Sequence, residues 1–232
     1  MNVAIIAAAG QGARMAGKRP KQFLELAGTP IIIHTLKAFE QCDVIQEIIV
    51  VLAGDEVDTF LSLAEKHRAR KIRSVVVGGA TRAESVFEGL RAAPEETTEI
   101  VAVHDGVRPF VTADEITRTV EAATREGAAI LVSTPVDTVK EVTDGAVTRT
   151  LRRAGLRNAL TPQCFRYTLL RQAFAAADVS DPDLTDESSL VERLGAKVVA
   201  VEGSPRNIKI TRPEDLAIGE AILKQWAVGS GQ

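Results

Sequence analysis

Cysteine is scarce: Cys42 and Cys164 are the only two in 232 residues, and they lie far apart with no C-x-x-C pair. That usage argues against a zinc or redox site and leaves cytosolic free thiols as the default. No apolar run approaches membrane-spanning length. The chain enters an apolar run at Val3 without the charged leader and cleavage site of a secretory signal. An excess of positive charge is missing too, with 28 Lys+Arg against 31 Asp+Glu and a formal net charge of −3. A mildly acidic chain is no general nucleic-acid binder, so its cations must act locally. We therefore expect a cytoplasmic protein with neither nucleic acid nor a membrane as partner. What is present is ordinary for a folded domain: 45% hydrophobic and 25% charged residues, in a length that fits one large α/β unit.

The named phosphate motifs are also lacking, although the start of the chain looks built for phosphate. Val3 to Ile6 is a short apolar run of the kind that fills a buried parallel strand. From Ala7 to Gly12 the residues turn small, which lets backbone N–H groups approach an anion closely. Arg14, Lys18, Arg19 and Lys21 follow at once. A P-loop needs G-x-x-x-x-G-K-[ST], yet Gly12 to Gly17 is followed by Lys18-Arg19, with no hydroxyl for magnesium. A dinucleotide fingerprint needs a third glycine where Met15 stands. Taken alone, the glycines fit a simple turn after a first strand with solvated cations.

Further strand-like runs occur at Ile48–Leu52, Ser74–Val77, Ile100–Val103, Ala129–Val132 and Lys197–Val201. Helical patterns lie between them at Ile31–Glu40, Val57–Arg68, Ala83–Ala93 and Ala113–Arg125. This alternation predicts a single Rossmann-like α/β domain with a mostly parallel sheet and helices on both faces. Ligands in such folds sit at the carboxyl ends of strands near a switch in strand order, where 8–21 would lie. The rhythm breaks at Thr134–Val142, which alternates like a strand; Asp144-Gly145 is a hairpin turn signal and Ala146–Leu151 a return strand. The expected layout is one domain over 1–228 with a β-arm at about 134–155, followed by a disordered tail over 229–232.

The string A-A-A-G-x-G-x-R-M…P-K-Q, from Ala7 to Gln22, resembles the signature of nucleotidyltransferases that activate phosphorylated small molecules with CTP or another NTP. Across nearly the whole chain, from Val3 to about Leu223, the resemblance is closest to the 2-C-methyl-D-erythritol 4-phosphate cytidylyltransferase family of isoprenoid biosynthesis. It implies that the loop at Ala8, Ala9, Gly10 and Gly12 wraps the triphosphate of CTP. It also implies that Arg14 and Lys21 stabilise charge on the α-phosphate.

The later motifs each have a plain structural reading and one that the resemblance adds. Gly78-Gly-Ala-Thr-Arg-Ala-Glu-Ser85 reads as a strand end followed by a helix capped by Thr81, with Glu84 in the box position. The resemblance places the pyrimidine there, on Gly79 and Ser85, with Arg82 bracing the loop. His104-Asp-Gly-Val-Arg-Pro109 follows an apolar strand. The resemblance gives Asp105 substrate hydroxyls and the metal-bound phosphates, and has Arg108 orient either the acceptor phosphate or the aspartate. His104 is read as structural, His34 as a partly buried helix residue and His67 as a solvated helix end. Gly106-Val107 departs from the small residues common in the family, and Leu156-Arg-Asn158 from an expected aromatic. The hairpin resembles the family's dimerisation arm, whose matching residues are Thr138 and Arg153, reaching into a partner's site.

Ala159-Leu-Thr-Pro-Gln-Cys-Phe165 matches a family segment that brings Thr161 to the acceptor. Thr185 reads as a helix cap, and the resemblance sets it near the acceptor phosphate. Lys209, between Ile208 and Ile210, reads either as an outward residue of an edge strand or as a functional cation; N-I-K-I-T-x-P-E-D-L makes it the latter by resemblance. The implied reaction joins CTP and a polyol phosphate with release of pyrophosphate. Arg14, Lys21, Arg153 and Lys209 would carry it, and Mg2+ would be held mainly through the CTP phosphates. Rival readings are a cytidylyltransferase for another polyol phosphate such as ribitol 5-phosphate, a non-catalytic nucleotide-sensing module, and an NAD-dependent oxidoreductase, which fails at Met15.

Overall fold

Chain direction and strand order together create a cleft at the end of the first strand. The computed structural model describes residues 1–10, 20–179, 181 and 184–229. Strand β1 (Asn2–Ala7) is followed by a short antiparallel pair, β2 (Glu25–Leu26) and β3 (Thr29–Pro30). Then come α1 (Ile31–Glu40), β4 (Glu47–Leu52), α2 (Val57–Lys66), β5 (Ile72–Val77), α3 (Arg82–Ala92), β6 (Ile100–Asp105), α4 (Ala113–Glu126) and β7 (Ala128–Ser133). The second half adds β8 (Lys140–Thr143), β9 (Ala146–Thr150), β10 (Asn158–Arg166), α5 (Tyr167–Ala175), α6 (Glu187–Arg193), β11 (Val199–Glu202) and α7 (Pro213–Gly229). The large sheet runs β11-β7-β10-β6-β1-β4-β5. All its strands are parallel except β10, which is antiparallel to β6 and β7. From β1 the chain moves outward to β4 and β5, then returns to lay β6 on the other side of β1. That reversal opens a crevice beyond the carboxyl ends of β1 and β6.

Period-2 side-chain alternation explains why the parallel strands read as unbroken apolar runs. Along β1, Ala4 and Ile6 join the core under α1, α2 and α4, with Leu36, Phe39, Phe60 and Val120. Val3 and Ile5 point the other way, to Val86 and Leu90 of α3, Leu170 and Phe174 of α5, and Val191 of α6. Both faces are therefore covered. A third cluster packs α7 over Leu26, Ile31 and Phe110, with the Trp226 ring edge-on to Phe110 at 5.9 Å between centroids. Both cysteines are buried and free.

Three expectations need correction, and two elements are added. The strand expected over Thr134–Val142 is only Lys140–Thr143. Pro135 has no N–H to give a ladder, and Thr134 N donates instead to Glu202 Oε1 at 3.2 Å. Lys209 is not on a strand: the backbone at 204–210 folds into local turns, then Ile210 N donates to Val107 O at 2.9 Å. Thr185 does not cap α6; Asp186 does, accepting from Ser189 N at 3.1 Å. Strand β10 and helix α5 were not foreseen as elements. Pro162 argues against a central strand, but the β10–β7 register shifts between Ala159 and Gln163, where a missing N–H is tolerated.

The hairpin β8–β9 stands apart from the sheet. Its turn, Asp144-Gly145, has φ of 51° and 78°, the left-handed pair that a tight two-residue hairpin loop requires. Every residue of both strands is exposed, and Val136, Val142 and Val147 are 80%, 56% and 62% exposed.

Candidate active site

The crevice holds a cavity of about 210 Å³. Ala7–Gly10 form one wall as the chain leaves β1, and Gly79–Arg82 with Ser85 form another at the start of α3. Lys21, Gln22, Asp105, Val107 and Lys209 complete it. The walls can come this close because side chains are missing. A Cβ on Gly78 would lie 2.6 Å from Ala9 Cβ and from Ser85 Oγ, and one on Gly106 would lie 2.8 Å from Ala8 Cβ. The loop after β1 is thus clamped between two glycines. Ala8 N donates to Val51 O at 2.8 Å and Gly106 N to Ala7 O at 2.9 Å.

Helix α3 opens on the capping box expected from sequence. Thr81 Oγ1 accepts from Glu84 N at 3.0 Å, and Glu84 Oε2 accepts from Thr81 N at 3.0 Å and Ala80 N at 2.6 Å. Ser85 Oγ donates to Thr81 O at 2.8 Å. The box fixes the backbone from which Arg82 reaches into the cleft.

The cations converge on one carboxylate. Asp105, at the end of β6, accepts from Arg82 Nε at 3.1 Å on one oxygen; on the other it accepts from Lys209 Nζ at 2.9 Å and Arg108 Nε at 3.3 Å. Burial opposes its charge, yet Arg82, Lys209 and Arg108 together hold Asp105 well below the usual carboxylate range. Arg108 also donates to Asn207 O at 2.8 Å. Arg82 makes a second ion pair, Nη1 to Glu187 Oε1 at 2.6 Å. Burial works against the guanidinium's charge, but Glu187 and Asp105 more than offset it and bind its proton harder. Burial also pushes the Glu187 carboxyl up, with Arg82 pulling against it.

Behind Asp105 lies a neutral relay. His104 is fully buried, which pushes its pKa down to about 4. Its Nε2 lies 3.1 Å from Arg108 O, and a carbonyl only accepts, so Nε2 carries the proton. Nδ1 then accepts from Thr161 Oγ1 at 2.9 Å, and that oxygen accepts from Asp105 N at 3.3 Å. His104 is thereby a framework residue that sets the end of β6, as read from the sequence.

Ala8, Ala9, Gly10, Gly79, Arg82, Ser85, Lys21, Asp105 and Lys209 are thus brought together around one cavity. Arg108 touches it through Asp105. Thr161 is 5% exposed, with its hydroxyl engaged behind Asp105. Thr185 is exposed at the foot of α6, and Thr138 and Arg153 lie exposed on and beside the hairpin, where Arg153 Nη1 donates to Val136 O. None of these four lines the cavity among the described residues. Gly12 and Arg14 lie outside the described residues. Two buried polar residues gave no sign of their part. Gln22 Nε2 ties Ala8 O at 2.8 Å to Glu56 Oε2 at 2.7 Å, and Glu187 grips Arg82. Gln22 stands inside the P-K-Q string and Glu187 two residues after Thr185, but nothing in periodicity marks a buried amide or acid.

A Rossmann-like sheet whose switch-point cleft sets a loop of small residues against a ring of cations defines a nucleotidyltransferase. Comparisons with known proteins agree. The family model described as 2-C-methyl-D-erythritol 4-phosphate cytidylyltransferase matches residues 2–225. Proteins of that name from Syntrophus aciditrophicus and Geobacter metallireducens are 44% and 45% identical to the chain, each over 96% of it and over 96% and 97% of their own length. The solved 4-diphosphocytidyl-2C-methyl-D-erythritol synthase of Anaerococcus prevotii superposes with a TM-score of 0.85 at 35% identity, covering 96% of both chains. The Thermus thermophilus cytidylyltransferase does so with a TM-score of 0.77 at 35% identity, over 95% of this chain and 98% of that one. The chain belongs to the 2-C-methyl-D-erythritol 4-phosphate cytidylyltransferase family.

Proposed function

We propose that the cavity binds CTP and a polyol phosphate side by side and that Asp105 with its three cations joins the two halves. The chain transfers CMP from CTP to 2-C-methyl-D-erythritol 4-phosphate, giving 4-diphosphocytidyl-2-C-methyl-D-erythritol and pyrophosphate, a step of non-mevalonate isoprenoid precursor synthesis. The observation that carries the site assignment is Lys209 on Asp105 at 2.9 Å, facing the same cavity as Ala8–Gly10 and Lys21. The acceptor's phosphate attacks the α-phosphorus in line and is already a nucleophile, so no general base is needed. What the step needs is neutralisation of two approaching anions. Lys209 uses one of its three N–H donors on Asp105 and has two more for phosphate oxygens. Lys21 and Arg14 act on the triphosphate. The loop at Ala8, Ala9, Gly10 and Gly12 cradles it, and Gly79 and Ser85 hold the pyrimidine.

Asp105, Arg108, Thr161, Thr185 and Thr138 serve the acceptor. Arg153 serves it from a second subunit, since it leaves the cleft of its own chain. The support for a homodimer is the hairpin itself. A two-stranded ribbon is marginal alone in water, and this one exposes Val136, Val142 and Val147. A single carboxylate at the cavity, in described residues without a cluster of three potential ligands, fits Mg2+ carried by the CTP phosphates better than an all-protein cage. Mg2+ bound in that way offsets phosphate charge. No helix among the described residues is long and apolar enough to cross a membrane, and we place the reaction in the cytoplasm. Pyrophosphate release from CTP tests the assignment: it should need 2-C-methyl-D-erythritol 4-phosphate and fall away with ribitol 5-phosphate. Faster turnover of ribitol 5-phosphate would move the chain to the other polyol class.

A further inference from the structure

Glu187 is 1% exposed and has no part in the chemistry set out above. It meets Arg82 across 105 residues of sequence at 2.6 Å. Its second oxygen, Oε2, is buried and has no hydrogen-bond partner among the described residues. A buried acid with a bare oxygen is unfavourable, and more so beside a cavity that takes two phosphorylated substrates. An apolar side chain of like volume would suit a purely structural role better. The acid is also held firmly in place: Gln163 Oε1, on β10, accepts from Glu187 N at 3.1 Å and Ser188 N at 3.0 Å.

Arg82 has a choice of partners. The capping box fixes its backbone, while its side chain lies on the cavity wall, 28% exposed. Held by Asp105 at Nε alone, the guanidinium would be free to turn its remaining donors onto phosphate. Glu187 takes Nη1 and, with Asp105 on Nε, fixes how the guanidinium is turned. It also sets the local charge, because among the described residues the acids paired with Arg82, Arg108 and Lys209 are Asp105 and Glu187.

We propose that Glu187 is a positioning residue for nucleotidyl transfer: it holds Arg82 sideways against Asp105, keeping that guanidinium off the ground-state triphosphate and tying the Thr185 segment to the nucleotide side of the cleft. This rests on the reading of the cavity as the CTP site. Without Glu187 the extra positive charge binds CTP well but in the wrong register, so binding and turnover part company.

The test measures CTP binding by calorimetry without acceptor, and steady-state turnover with it, for Glu187→Gln, Glu187→Asp, Arg82→Gln and the Gln–Gln double variant. Glu187→Gln keeps the shape and loses the charge. Its CTP Kd should stay equal or fall, while kcat drops about tenfold or more and KM for the acceptor rises. Glu187→Asp keeps the charge and should recover part of kcat. On the Arg82→Gln background, Glu187→Gln should lower kcat by less than about twofold more, because one residue acts through the other. The proposal is overturned by kcat within about twofold of wild type in Glu187→Gln, by a weakened CTP Kd matching the kcat loss, or by a full repeat of that loss in the double variant. Should Glu187→Gln not fold, Glu187→Asp is run through the same cycle and decides by the same criteria. Failure of the underlying reading looks different: wild type itself would then show neither CTP heat nor pyrophosphate release.

Discussion

Lys209 Nζ sits 2.9 Å from Asp105 Oδ2, one residue coming from the turns before α7 and the other from the last position of β6. The pair brings a cation from late in the chain to the loop that opens it. Asp105→Asn keeps the shape but leaves Arg82, Arg108 and Lys209 facing one another without their shared anion. Loss of one such group in a charge-stabilising site lowers kcat by ~10² or more. Stability should fall by about 2–4 kcal/mol, below the range for a fully buried pair because Lys209 is 35% exposed. Steady-state rates and urea unfolding check both numbers. A variant that turns over normally would remove Asp105 from the site.

Gly78→Ala tests the clamp on the loop after β1. The added methyl would lie 2.6 Å from Ala9 Cβ and from Ser85 Oγ, so the loop must move. We expect KM for CTP to rise about tenfold or more with a smaller change in kcat, since ground-state and transition-state binding are lost together. Wild type should strongly prefer CTP over ATP and GTP, because backbone groups around a small cavity reject a base that leaves them unpaired. Competition assays with the three nucleotides read this directly, and comparable turnover of ATP would overturn the pyrimidine assignment.

Complementation tests the arm. Lys21 lines its own chain's cavity, whereas Arg153 is exposed beside the hairpin. Lys21→Ala and Arg153→Ala homodimers should each be nearly inactive. In the proposed homodimer, co-refolding would make half the dimers mixed, each with one intact site, so activity should return to about a quarter of wild type by two-fold symmetry. Differential tags verify the exchange. Exchange without recovered activity would mean that Arg153 does not act across the interface.

His104 predicts a pH dependence of stability. Burial holds it neutral in the fold, with a pKa of about 4 against an ordinary 6.5. The unfolded chain therefore binds the extra proton from pH 6.5 downward, so stability rises with pH between those values. The full penalty, about 3 kcal/mol, is reached near the lower one. Asp105 beside it is held well below this range and stays ionised throughout. The difference between wild type and His104→Gln, followed by urea unfolding across pH 4 to 7, should carry that slope. Parallel curves would show that the histidine is not the group responsible.

Local signals were legible where local physics decides. Apolar alternation in β1 and β4, the 31–40 helix, the Thr81–Glu84 box and the Asp144-Gly145 turn each depend on residues within one element. Ala7–Gly10 and Lys21 share one cavity for a related reason, since they lie close together in sequence. Only the tertiary structure decided the rest. β10 carries Pro162 and reads as a poor strand, yet the gap between β6 and β7 gives it two partners. Lys209 looks like an edge-strand residue until the turns around it deliver its ammonium to Asp105. Arg82, Asp105, Glu187 and Lys209 come from four separate segments, and charge acts through space rather than along the chain. Pattern in the chain determined which chemistry is available; the return of β6 beside β1 determined where those charges meet.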